Sequence, residues 1–156
     1  MCKQQQRETI GWREWLALPD IGIPGVDTKI ETGTAESILH TSFVEYFRRG
    51  GVLWARFGVT PLPQSEDIRL VCLAAVKDQR TSHDATGAHD LLPVIESLVQ
   101  AGQHQFPTEL LLVPNGEENF TLHLGRKALQ NTQLLVDPKR SYMLGEPRKV
   151  SCDRTP

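Results

Sequence analysis

Lys29-Ile30-Glu31-Thr32-Gly33-Thr34-Ala35-Glu36-Ser37-Ile38-Leu39-His40 is the stretch on which the reading of this chain turns. Val26, Thr28 and Ile30 alternate with Asp27 and Lys29, the period of a half-buried strand that ends at Glu31. Ser37-Ile38-Leu39-His40-Thr41 reads as a short second strand leaving the turn. One carboxylate is thereby set at the tip of a tight loop between two strands. Gly33 gives the backbone freedom there, and Thr32 and Thr34 carry hydroxyls suited to tying the loop to neighbouring backbone. Such a loop suits a pre-organised acid.

Outward from it, strands dominate. Upstream, Trp12-Arg13-Glu14-Trp15-Leu16-Ala17-Leu18 alternates large apolar residues with charges, and Pro19 to Gly25 is a turn-rich connection. Downstream, Phe43 to Arg49 reads as a helical turn ended by Gly50-Gly51, and Leu53 to Val59 as an alternating strand. Ile68 to Val76 is apolar on both faces apart from Arg69, as expected of a strand covered on both sides. Residues 77–90 are polar and glycine-punctuated, the composition of a mobile hairpin tip or lid. Leu91–Val99 and Phe106–Val113 read as two strands whose Pro93 and Pro107 push them towards an edge or a bulge. Thr121 to Leu124 reads as a strand that gives way at Gly125 to a brief helix, and Leu134-Leu135-Val136 extends again. The sum is an all-β chain with one or two short helices, a compact barrel or sandwich.

The 156 residues suffice for one domain with a real core, with flexible ends expected at 1–9 and 146–156. A net charge of −2 recruits neither nucleic acid nor an anionic membrane. No apolar run approaches the ~20 residues of a membrane span. The first residues have no apolar core, so no signal peptide is read there. Cys2, Cys72 and Cys152 are an odd count with two near the ends, which argues for a reducing compartment; a cytoplasmic protein is expected.

Six motifs follow one another: Gly11-Trp12-Arg13-Glu14-Trp15, Leu18 to Pro24, Lys29 to Thr34, Ser37 to His40, Leu124-Gly125-Arg126-Lys127-Ala128-Leu129 and Val136-Asp137-Pro138-Lys139-Arg140-Ser141-Tyr142. Together, over about residues 10 to 145, they resemble a bacterial family labelled ATP-dependent zinc protease and also described as retropepsin-like aspartic endopeptidases. Some of its members are encoded beside ATP-grasp ligases that add glutamate to ribosomal protein. The resemblance implies a closed, pepsin-like acid-protease β-barrel of a single lobe, with a functional link to such a ligase. It maps the family's Asp-Thr-Gly-Ala loop onto Glu31, Thr32, Gly33 and Thr34, and its hydrophobic-Leu-Gly-Arg segment onto Leu122 to Arg126. One lobe supplies one acid, so a working site implies a homodimer acting on a peptide or protein substrate. Glu31, Thr32 and Gly33 are then the catalytic loop, and Thr34, His40, Arg80 and Gly87 fall on the substrate side.

The departure at Glu31 sets one more methylene, about 1.5 Å, into that loop. Misplacement of this order costs ~100-fold in a well-aligned site. Thr34 replaces the family's alanine, and Asn115 to Phe120 and His89 to Ile95 also leave the family pattern. Altered or lost catalysis is therefore weighed beside hydrolysis, the alternative being a relative that binds peptide without cutting it. Each residue has a plainer reading too. Glu31 can satisfy loop amides, His40 can be a hydrogen-bonded core histidine, Asp78 and Arg80 an ion pair, Cys72 a packed small hydrophobe, and Trp12, Trp15 and Trp54 fillers. No His-Glu-x-x-His or Cys-x-x-Cys occurs, so neither zinc nor any other metal is expected. His83, Asp84, His89 and Asp90 read as a solvated loop, and no phosphate-binding glycine loop implies ATP or another cofactor.

Overall fold

The computed structural model describes residues 7–61, 69–83, 89–114 and 120–145. Alternation of apolar and polar residues builds most of its strands: β1 (Thr9–Leu18), β2 (Ile23–Ile30), β3 (Ser37–Thr41), β4 (Phe43–Arg49), β5 (Val52–Val59), β6 (Leu70–Ala75), β7 (Asp78–His83), β8 (His89–Ala101), β9 (His104–Pro114), β10 (Leu122–Leu124) and β11 (Leu135–Ser141). One short helix, α1 (Arg126–Gln130), precedes β11. Strands β1, β2, β10, β3, β9 and β8 follow one another round a ring that the pair Ala17 and Gln100 closes, a six-stranded barrel. β11 adds in parallel to β1 outside the ring, and β7 adds antiparallel to β8. Period-two burial fills the interior: Phe106, Thr108, Leu110 and Leu112 of β9 point in, as do Ile10, Glu14, Leu16 and Leu18 of β1.

The expected helical turn at Phe43–Arg49 is a strand. β4 pairs residue for residue with β5, from Phe43 opposite Gly58 to Arg49 opposite Val52. Phe43 and Phe47 satisfy a helical i, i+4 spacing and a strand's alternation equally, and pairing with β5 decides between them. β4, β5 and β6 form a separate three-stranded sheet whose inner face, with Ala55, Phe57, Val59, Cys72 and Ala74, closes over the core. Its outer face is open. Val71 and Leu73 are 55% and 44% exposed, so β6 is covered on one side only, and the apolar run reflects an uncovered face instead of a second layer.

Pro93 pairs with Gln79 just before β8 begins its ladder with β9 at Val94. Pro107 pairs with Leu98 before β9 meets β3 at Leu110. Both prolines thus sit where one side of the strand has no partner to serve. Cys72 is buried, and burial pushes its thiol up to about 11. Cys2, Cys152, Gly87, the tip 84–88 of the β7–β8 segment, residues 115–119 and the expected flexible ends beyond residues 7–9 lie outside the described residues. No helix among the described residues is long and apolar enough to cross a membrane.

Four N-terminal motif residues lock the C-terminal segment onto the barrel. A Cβ at Gly11 would lie 2.2 Å from the Arg140 carbonyl oxygen, so only glycine lets that chain pass. Glu14, wholly buried, accepts the amides of Gly11, Met143 and Leu144 at 2.6, 3.0 and 3.0 Å. Arg13 pairs with Asp27, which also accepts the Tyr142 hydroxyl at 3.1 Å. Trp15 stacks on the Tyr142 ring at 5.5 Å. Tyr142 itself holds a left-handed backbone, φ 54°, which these contacts stabilise.

Candidate active site

β10 lies between the two strands that flank the acid loop, parallel to β2 and antiparallel to β3. The chain after it therefore passes directly beneath residues 31–37. The Glu31 amide donates to the Leu124 carbonyl at 2.8 Å. In return the Gly125 amide donates to Ser37 Oγ at 2.9 Å, the Arg126 amide to the Thr34 carbonyl at 2.7 Å and the Lys127 amide to the Ala35 carbonyl at 3.1 Å. The Arg126 guanidinium completes the clamp on the Thr32 carbonyl at 3.0 Å. A Cβ at Gly125 would stand 2.2 Å from the Glu36 carbonyl oxygen, so this glycine is what allows the approach. Gly33 has no left-handed φ, and a Cβ there would meet nothing within 4 Å, so the turn itself does not demand glycine.

Thr32, Gly33 and Thr34 are exposed, and the Glu31 side chain is 23% exposed at their base. Successive side chains alternate across a strand, so Lys29 and Glu31 share a face, and register places His123 beside Lys29 on it. His123 Nδ1 lies 3.1 Å from Glu31 Oε1, Lys29 Nζ 3.3 Å from the same oxygen, and Thr34 Oγ1 donates to Oε2 at 3.1 Å. Partial burial pushes the Glu31 carboxyl up, but the hydrogen bonds from His123, Lys29 and Thr34 outweigh it and hold it below the ordinary 4.5. The group is a carboxylate with both oxygens engaged.

Of the other residues named from sequence, His40 meets the site at one remove, its ring edge-on to that of His123 at 5.1 Å. Arg80 does not touch Glu31. It spans from β7 to Glu36 at 2.6 Å and Glu109 at 2.7 Å, with Asp78 more distant at 3.6 Å, and so braces the far side of the loop. Lys29, His123 and Arg126 belong to this geometry although sequence reasoning does not single them out as site residues. For His123 the available signal is a titratable ring in the hydrophobic slot ahead of Leu124-Gly125-Arg126.

The zinc of the family label does not fit these residues. Among the described residues no three His, Cys, Asp or Glu side chains converge as metal ligands. The Lys29 ammonium also stands at the oxygen a cation would need.

Residues 9–147 match the family model described as RimB-like, retropepsin-like aspartic endopeptidase RimB. The chain belongs to this family. It is 32% identical over 145 residues to a probable alpha-L-glutamate ligase of Shewanella halifaxensis, the match covering 93% of this chain and 31% of that protein. It is 34% identical over 137 residues to the protein of the same description from Shewanella pealeana, covering 88% and 30%. The chain thus spans about a third of the length of these curated relatives. A Legionella pneumophila protein of unknown function, solved by crystallography, superposes with a TM-score of 0.71 at 18% identity, covering 89% of this chain and 99% of that one. That likeness speaks to the RimB-like fold alone.

Proposed function

We propose that this chain is an aspartic-type peptidase that acts as a cytoplasmic homodimer, with Glu31 of each protomer as one of two paired acids. The observation that carries this reading is the clamped loop, which holds a partly exposed carboxylate at the base of an exposed tip while Gly125 and Arg126 fix the backbone beneath it. Two such carboxylates across a two-fold axis share one proton, because like charges a few ångströms apart do not both ionise cheaply. The ionised acid takes a proton from a water held between them, and the water oxygen attacks the peptide carbonyl. The protonated acid donates to the carbonyl oxygen, and the amine departs with a proton returned through the same pair. Thr32 and Gly33 form the loop; Thr34, His40 and Arg80 fall on the substrate side. The relatives described as glutamate ligases support a functional link to such a ligase and a substrate containing glutamate.

A second reading, peptide binding without hydrolysis, is favoured by one feature. Glu31 already has three partners within its own chain, and its depressed carboxyl opposes the protonated member that the reaction needs.

The test is cleavage of a proteome-derived peptide library and an oligoglutamate peptide at acidic pH by wild type, Glu31→Gln and Glu31→Asp. The peptidase reading expects turnover in the wild type and a loss of ~100-fold or more with Gln. No turnover in the wild type at any pH, with cleavage appearing only in the Asp variant, supports the binding reading. Sedimentation showing a monomer at assay concentration removes the paired-acid mechanism.

A further inference from the structure

We propose that His123 is the positioning residue of this site, and that Glu31 and His123 form a matched pair in which the imidazole restores the order that a longer acid loses. This deepens the paired-acid reading and rests on it only for the catalytic consequence.

Three observations carry the pair. Register comes first. β10 runs parallel to β2 with His123 beside Lys29, so the histidine and the acid two residues further on share one face. Reach comes second. Glutamate has one more rotatable bond than aspartate, and here Nδ1 of His123 takes Oε1 at 3.1 Å while Thr34 takes Oε2 at 3.1 Å. Both oxygens are held, so that extra torsion is fixed. An aspartate at this position would stop about 1.5 Å short of the ring. The third observation is a cost. His123 is 6% exposed, and its Nε2 is buried with no hydrogen-bond partner, against the rings of His40 and Phe120. A leucine would fill that space without a buried lone pair, so packing does not account for a histidine here. The contact to Glu31 does. The charged and titratable groups around the pair are Lys29 from β2 and His40 from β3, with Arg13 beyond Phe120.

The experiment follows the Glu31 side-chain carboxyl by carbon-detected NMR of glutamate-labelled protein across an acid titration, in wild type, His123→Leu and His123→Asn. Thermal unfolding is measured on the same samples. Asn keeps an N–H donor near the place of Nδ1; Leu keeps only volume. The Leu variant should unfold at the same temperature or higher, yet show the Glu31 titration moved up towards the ordinary carboxylate range. Asn should return it towards the wild-type midpoint. A Glu31 titration unchanged in His123→Leu overturns the proposal, as does His123→Asn behaving like Leu. These readouts stand even if the wild type cleaves no peptide. Where it does cleave, the Leu variant should lose about tenfold or more in kcat with KM little changed, and Asn should recover most of it.

Discussion

Glu14 on β1 and Glu31 just past the end of the neighbouring β2 are two acids of one barrel wall, and the molecule treats them in opposite ways. Glu14 is wholly enclosed, and its oxygens accept three backbone amides, those of Gly11, Met143 and Leu144. Glu31 stands at the solvent edge and is held by side chains, those of His123, Lys29 and Thr34. Amides fix a carboxylate to the fold and leave it no other task. Side chains at an accessible rim orient it and leave it reachable. The difference separates an acid that closes the barrel from one positioned to meet a ligand.

The comparison breaks most visibly through Glu14. Glu14→Ala strands three amide donors where the C-terminal segment crosses β1, and on the order of 3 kcal/mol of stability should go. Glu31→Ala should change stability by less than about 1 kcal/mol, because water can replace its partners. Urea midpoints of the two variants side by side decide this, and equal losses would erase the distinction between the two acids.

The two loop glycines sharpen it next. Gly125→Ala drives a methyl to 2.2 Å from the Glu36 carbonyl oxygen and should cost about 2 kcal/mol while displacing Glu31. Gly33→Ala meets open space at an ordinary φ and should stay within about 1 kcal/mol of the wild type. Thermal unfolding with backbone chemical shifts of residues 31–37 separates them.

The smallest effect lies in pH. The Glu31 carboxyl is depressed in the folded chain, so its contribution is fully present above the unfolded value near 4.5 and fades as pH falls through the folded value. Since the group is partly exposed, solvent screens its contacts and the contribution is small. The difference in urea midpoint between wild type and Glu31→Gln should shrink as pH is lowered below the carboxylate range. A difference that grows on acidification would mean the contacts to His123 and Lys29 do not favour the ionised form.

Much of this is legible in the chain. Strand alternation in residues 26–30 and 53–59 leaves barrel and sandwich both open, the change of character at Gly125 gives the helix, and the resemblance carried by six motifs implies the closed barrel, as found. The misreadings have physical causes. Phe43–Arg49 fits two periods at once, and only hydrogen bonding to β5 selects the strand. Leu70–Ala75 is apolar throughout, yet one face of β6 stays in solvent, because composition carries no record of what covers a surface. His123 is illegible as a site residue because a single histidine in an apolar strand carries no local signal of its partner, which lies 92 residues away.

By itself, then, the sequence determined the class of fold, the place of the acid loop and the family, since these depend on periodicity and on short motifs that act locally. Which acids are enclosed and which are open, why Gly125 and not Gly33 must be glycine, and the union of Glu31 with His123 were decided only in three dimensions. They depend on register between strands distant along the chain, and no local pattern encodes the distance between two side chains that the barrel brings together.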